Sequence, residues 1–258
     1  MFQIVVKYLS FLKKSTNEHG VHSPFVYELI TKCLYEKNKV EEIGFYSDVL
    51  NRLKKSKEKI EVTDFGKGSK VFKTNYREVA KIAKVASIKK KNALMLMRLV
   101  KYLEINTTLE IGTSLGVGTS CLAKANLKGE VVSVEGCPNT AAMAQNQFDY
   151  FKLKNINLLT GEFSKVLPEL VEDKKYDLIY FDGNHTKKAT LEYFKLCLPS
   201  IHNNTVFIFD DIHWSDEMDE AWEEIKKHEQ VKVTLDTFQW GLVFFRKEQV
   251  KEHFVIRV

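Results

Sequence analysis

The chain has 258 residues, 44% of them hydrophobic and 28% charged, and a formal net charge of +5. That balance describes a globular chain long enough for one well-cored α/β domain with a smaller appendage. Its longest apolar stretches are strand-length, short of the ~20 residues a bilayer-spanning helix needs, so no transmembrane segment is expected.

The start, Met1-Phe2-Gln3-Ile4-Val5-Val6-Lys7-Tyr8, lacks a basic n-region and a small-residue cleavage site, so no secretory signal is expected. Cys33, Cys121, Cys137 and Cys197 are scattered without a C-x-x-C. That spacing argues against a zinc cluster and for a reducing, cytoplasmic setting. Charge is uneven: residues 1–91 hold 20 Lys+Arg against 10 Asp+Glu, and residues 92–258 hold 19 against 24. The front segment therefore suits either a solvated lysine-rich face or an acidic partner.

Residues 1–90 read as a mainly helical extension, a candidate substrate cap. Phe2, Val5, Val6, Leu9 and Leu12 recur at helical spacing. This apolar helix suits core packing, a membrane-surface contact or a homodimer face. Ser23-Pro24 should open a second helix running to Cys33, with Ser23 as its cap. The preceding His19-Gly20-Val21-His22 also suits a loop folding over an acceptor pocket. Residues 60–73 resemble a short hairpin around Gly66 and Gly68. Its Asp64-Phe65-Gly66 lacks every other kinase motif and is read as chance.

From residue 91 to 258 helices and strands alternate. A helix at Ala93–Leu103 precedes a strand at 107–111, and a helix at Val117–Ala125 precedes a strand at 130–134. A helix around Ala141–Phe151 leads to a strand at 156–159, and a short helix at Lys165–Val171 to a strand at Tyr176–Asp182. A helix carrying Leu191, Phe194 and Leu198 precedes a strand at Thr205–Asp210. A last helix has Met218, Ala221, Trp222 and Ile225 on one face. This rhythm predicts a doubly wound, Rossmann-like parallel sheet. Val231–Leu235 and Leu242–Phe245 leave no room for a crossover helix and should pair antiparallel. The count is seven strands, five in βαβ units and a terminal hairpin.

The first strand runs into Glu110-Ile111-Gly112-Thr113-Ser114-Leu115-Gly116-Val117-Gly118. Gly112 permits a tight turn; Ser114 and Gly116 keep side chains small where a ligand lies on the backbone. The next strand ends at Glu135-Gly136, a carboxylate placed to accept hydrogen bonds from ribose hydroxyls. Ser114 stands where a dinucleotide fingerprint has its second glycine. These residues resemble the class I S-adenosylmethionine-dependent methyltransferases, over about residues 90–258. Glu110–Gly116 matches their first motif, E/D-x-G-x-G/S-x-G, and Glu135 their ribose-holding acid. The resemblance implies that Glu110 lies near the methionine end of the cofactor, and that Gly161-Glu162-Phe163 flanks adenine.

Asp182 ends one strand, and Asp210-Asp211 ends its expected neighbour. Three carboxylates at one sheet edge would repel unless neutralised, and Mg²⁺, or Mn²⁺ or Ca²⁺, would do so. The set is similar to that of the catechol-type and bacterial tailoring O-methyltransferases, in which such acids hold a metal that lowers the pKa of the acceptor hydroxyl. Capping and cofactor contact by Asp182 are the competing roles. His185 and His213 follow these acids, and either is a candidate general base or ligand. Trp214 suits pocket closure or core packing equally.

Methyl transfer from S-adenosylmethionine to a small-molecule hydroxyl is therefore the expected activity, with metal assistance as an option. An RNA methyltransferase using the basic front segment is the alternative. It is opposed by Asp182-Gly183-Asn184-His185 standing where base-methylating relatives carry Pro-Pro-aromatic. A nicotinamide-dependent oxidoreductase and a non-catalytic nucleoside-binding protein fit the turn less well.

Overall fold

The structure is a computed structural model that describes residues 2–63 and 74–258. The tip of the expected 60–73 hairpin, with Asp64-Phe65-Gly66 and Gly68, lies outside the described residues. The chain forms two compact units. One is continuous, Glu36–Val166; the other is discontinuous and joins Met1–Tyr35 to Leu167–Val258.

The discontinuous unit opens with α1 (Phe2–Lys14) and α2 (Pro24–Leu29). Ser23 caps α2, its side chain accepting from the Val26 amide at 3.4 Å, and Pro24 occupies the first turn as expected. The helix widens into a π-turn, Ile30–Leu34, that buries Ile30, Cys33 and Leu34.

The continuous unit starts with α3 (Val40–Lys54), the strands β1 (Lys59–Glu61) and β2 (Tyr76–Glu78), α4 (Val79–Ala86) and α5 (Lys90–Tyr102). β1 and β2 pair antiparallel, with Glu61 opposite Tyr76. β3 (Thr107–Ile111), α6 (Val117–Ala125), β4 (Glu130–Glu135), α7 (Pro138–Tyr150) and β5 (Ile156–Thr160) follow. These three strands pair parallel in the order β3-β4-β5, with Leu109 opposite Val132 and Val132 opposite Asn157. Residues 108–111 of β3 and 131–134 of β4 are buried, as in strands covered on both faces.

After α8 (Phe163–Val171), the discontinuous unit resumes with β6 (Leu178–Phe181), α9 (Lys187–Cys197), β7 (Val206–Phe209) and α10 (Asp216–Lys227). It ends with β8 (Val233–Asp236), β9 (Gly241–Phe244) and β10 (Glu252–Val255). β6 and β7 pair parallel; β9 pairs antiparallel with both β7 and β8, as expected of the terminal hairpin. All four side chains of each of β6 to β9 are buried. Phe181 stacks on Phe209 at 4.3 Å between ring centres, filling the core beside β6 and β7.

β10 is one strand more than the seven expected. It pairs parallel with β8, Phe254 opposite Leu235. Only Phe254 among its residues is buried, so its sequence shows no apolar run for a strand reading to catch. The alternation of helices with mostly parallel strands makes this an α/β, Rossmann-like fold, as expected. No described helix is long and apolar enough to cross a membrane.

Candidate active site

In the continuous unit the loop after β3 carries three residues with left-handed backbone within five positions. These are Gly112 at φ 108°, Ser114 at φ 51° and Gly116 at φ 77°. Gly116 is also the residue before α6, so the turn delivers the chain directly into a helix N-terminus. The glycine is fixed by packing as well as by conformation: a Cβ on Gly116 would lie 2.6 Å from Cε1 of Phe148 and 3.1 Å from Cβ of Ala144. Gly112 and Thr113 both donate backbone N–H bonds to the Val134 carbonyl, at 3.0 and 3.2 Å. The turn is thereby stitched to the end of β4.

Glu135, at that end, completes the stitch. Its carboxylate accepts from the Ser114 amide at 2.8 Å through one oxygen and from the Cys137 amide at 3.0 Å through the other. Burial raises its pKa, opposed by the amides of Cys137, Ser114 and Gly136. Each oxygen has a second lone pair, so a ribose hydroxyl can bond it without breaking either amide contact. Glu110 is buried, accepting from the hydroxyls of Thr119 and of Ser133, the latter at 2.6 Å. Burial pushes its pKa up to about 7. Ser133 also bonds Thr113 at 2.6 Å, so Glu110 anchors the turn from beneath. A Cβ on Gly118 would come within 3.0 Å of the same carboxylate. Gly161 donates its amide to the Glu135 carbonyl at 2.9 Å. Glu162 is exposed and paired with Lys165 at 2.6 Å, which lowers its pKa, and Phe163 opens α8 half-buried.

In the discontinuous unit the acids and histidines fall into two groups. Asp210 is buried; its carboxylate accepts from the Asp211 amide at 2.8 Å, the Gln239 side chain at 3.3 Å and the Tyr180 hydroxyl at 3.0 Å. The same hydroxyl lies 3.4 Å from the Asp182 carboxylate. Asp211 sits at φ 54°, turning the chain after β7. His185 stands 3.7 Å from Asp182, each partly exposed. Among the described residues no three His, Cys, Asp or Glu side chains are grouped to hold a metal ion. Asp182, Asp210 and Asp211, expected as ligands, are not gathered that way. Asp210 accepts from an amide and a carboxamide on one oxygen and from a phenol on the other, and β-strand alternation explains the phenol. Tyr180 is two residues before Asp182 and so shares its face of β6.

His213 is held differently from its expected role as base or ligand. One ring nitrogen bonds Asp219 on α10 and the other bonds Asp236 at the end of β8, at 2.8 Å. Although burial opposes it, the two carboxylates push the pKa up to about 9. An imidazolium with both N–H groups donated has no lone pair for a substrate proton. Asp219 also pairs with Lys7 of α1. Around this chain of charges Phe238, at φ 74°, packs against Tyr8 at 4.8 Å, Phe11 at 5.4 Å and His213 at 5.4 Å. Trp214 is half exposed. Tyr180, Asp219, Asp236, Phe238 and Gln239 were not legible as site-forming residues; only the Tyr180–Asp182 spacing offered a signal.

Residues 109–212 match the family model described as a methyltransferase domain. No curated protein matches the sequence. Among solved structures, a Podospora anserina methyltransferase with bound SAH has a TM-score of 0.61 at 13% identity, over 88% of this chain and 97% of that one. A Bacillus cereus O-methyltransferase in complex with SAH has 0.56 at 16% identity, over 91% and 99%. The Streptomyces achromogenes O-methyltransferase TomG, in complex with SAM, has 0.55 at 18% identity, over 62% and 82%. The strand-to-turn motif and the acid closing β4 both lie within the stretch that matches the methyltransferase domain.

Proposed function

We propose that the protein methylates a hydroxyl oxygen of a small molecule. The observation that carries the cofactor side is Glu135, whose two oxygens each hold one amide of the β3–α6 and β4–α7 turns and keep a lone pair for a ribose hydroxyl. Gly112, Thr113, Ser114, Gly116, Gly118 and Gly136 would border the cofactor along the backbone, Glu110 would support its methionine end from below, and Gly161, Glu162 and Phe163 would flank the adenine. When bound, S-adenosylmethionine supplies a methyl group on a positively charged sulfur, which an oxygen nucleophile displaces. The protein's task is then alignment and removal of one proton.

For that proton His185 is the fitting group. It is partly exposed and stands 3.7 Å from Asp182. His213 is committed on both nitrogens and serves as a clamp. Drawn together, Asp182, Asp210 and Asp211 would hold a divalent metal through their carboxylates, Asp210 through the second lone pair of the oxygen that accepts from Tyr180, and the metal would supply a lowered pKa to the acceptor hydroxyl. The N-terminal segment supports the acceptor side: α1 packs on Phe238, next to the Gln239 that holds Asp210. The relatives named above include O-methyltransferases, which supports oxygen as the accepting atom.

Calorimetric titration of S-adenosylhomocysteine tests the cofactor side. A charge-assisted hydrogen bond contributes ~1.5–3 kcal/mol, so Glu135→Ala should weaken binding by roughly tenfold or more. Unchanged affinity removes Glu135 from the site. For the acceptor side, labelled methyl transfer to a set of phenols and catechols should fall about 100-fold in His185→Ala, with cofactor affinity retained. Label recovered on nitrogen instead of oxygen overturns the hydroxyl assignment.

A further inference from the structure

The lysines of the continuous unit are distributed unlike those of α10 and its neighbours. There, Lys187 bonds Glu220 and Glu224, Lys226 bonds Glu223, and Lys7 bonds Asp216 and Asp219. In the continuous unit Lys54, Lys55, Lys57 and Lys59 follow one another from the last turn of α3 into β1, all exposed. Lys84 lies on α4, and Lys89 and Lys90 stand at the start of α5. None of these seven is in an ion pair among the described residues, although Lys59 stands opposite Glu78 across the β1–β2 pair. Lys89 to Lys91 also occupy the N-terminal end of α5, whose first turn holds no acid, so their charge opposes the helix dipole.

Hydrogen bonds tie together the elements that carry these lysines. The Tyr46 hydroxyl on α3 bonds the Ile88 carbonyl at 2.9 Å, and the Val79 amide at the start of α4 bonds the Glu58 carbonyl at 3.0 Å. α4 thus links the Lys57–Lys59 end to the Lys89–Lys90 end across about 12 Å, its own length at 1.5 Å per residue. Two exposed aromatic rings border the set. Tyr76 is 67% exposed and faces Glu61 across the β1–β2 pair, on the side that also carries Lys59. Tyr150 is 64% exposed and holds the Arg52 guanidinium 4.4 Å from its ring centre. Glu41 and Asp48 on α3, with Glu58 and Glu61, are exposed acids of the same elements, and Glu78 is paired with Lys81.

We propose that this α3–β1–α4 face binds single-stranded nucleic acid. Clustered lysines held in no ion pair are relieved of their mutual repulsion by neutralising phosphates, and exposed tyrosines offer flat surfaces on which unpaired bases stack. A lipid surface fits less well, because the exposed large apolar side chain of α4 is Val85 alone. The surface stands on charge and exposure, not on the methyl-transfer reading, and its test uses neither cofactor nor acceptor.

The experiment is fluorescence anisotropy of the full-length protein with labelled oligouridylate and oligothymidylate of about 20 nucleotides, between about 50 and 200 mM KCl. Micromolar binding is expected at the lower salt. Four phosphate contacts at ~0.7 each give a log–log salt slope near 3, or about 50-fold weakening over that range. Replacing Lys54, Lys55, Lys57 and Lys59 together by glutamine should flatten the slope and weaken binding at least tenfold; Lys89→Gln with Lys90→Gln should do so in part. Tyr76→Ala should weaken binding about fivefold or more with the slope unchanged. Equal affinity for the two oligomers supports recognition through phosphate and base faces; tighter binding of the RNA adds the 2′-hydroxyl to the contacts. The proposal is overturned by no binding at the lower salt. It is equally overturned by wild-type affinity in a lysine variant with unchanged thermal midpoint, or by binding to phosphatidylserine vesicles but to neither oligomer.

Discussion

Gly116→Ala places a methyl group where neither the backbone nor the neighbouring helix accepts it. At φ 77° an L-residue costs ~1–2 kcal/mol relative to glycine. The added Cβ would also stand 2.6 and 2.8 Å from two ring carbons of Phe148, itself fully buried on α7. The ring cannot swing into solvent, so overpacking adds ~1–3 kcal/mol. The combined loss of ~2–5 kcal/mol should lower the thermal midpoint by roughly 4–20 °C at ~2–4 °C per kcal/mol for a chain of this size. Scanning fluorimetry and urea unfolding of Gly116→Ala, Phe148→Leu and the double variant separate the two parts. Phe148→Leu should relieve the steric share and leave the conformational share, giving a favourable coupling of about 1 kcal/mol or more. Strict additivity would refute the packing argument. A Gly116→Ala protein as stable as wild type would refute the turn geometry itself.

The His213 clamp should give stability a specific pH dependence. Its folded pKa, about 9, lies above the ordinary 6.5, so its contribution is fully present below pH 6.5 and is lost as the pH rises toward 9. That loss should be ~3 kcal/mol by urea unfolding, absent from His213→Gln, which should itself be ~3 kcal/mol less stable at pH 6 with Asp219 and Asp236 left facing each other. Equal pH slopes in the two proteins would remove the clamp from the account. Glu110, raised to about 7 from 4.5, penalises the folded state as it ionises, so its share of stability falls between pH 4.5 and 7. Glu110→Gln keeps an acceptor for Thr119 and Ser133 without that ionisation. It should be ~1–3 kcal/mol more stable than wild type at pH 8 relative to pH 5, and a matching slope in both would contradict the burial argument.

The α/β rhythm was legible because strands buried on both faces tend to be apolar runs, and β6, β7 and Val131–Val134 of β4 are such runs. β10 was not, since an edge strand with one buried side chain carries no run. The Gly112–Gly116 turn was legible for a related reason: left-handed backbone leaves a glycine signature. Phe238 reaches the same region without glycine, held by Tyr8 and Phe11 from far along the chain, and no local pattern announces it. The same holds for His213. Its neighbours in sequence suggested an acid–base role, and its partners in space, Asp219 and Asp236, determine a cationic one.

The discontinuous unit gives the order of synthesis a part in folding. Ser23 bonds Gln249, 226 residues later, and Thr16 bridges Ile256. At ~5–20 residues per second α1 and α2 wait roughly 10–45 s for the strands they pack on, while the continuous unit is already complete. During that interval Phe11, Val26 and Leu29, buried in the finished fold, have only nascent chain and solvent around them. Slowed elongation or a stall before β8 would lengthen the exposure of these apolar helices, so the yield of folded protein should respond to translation speed through residues made near its start.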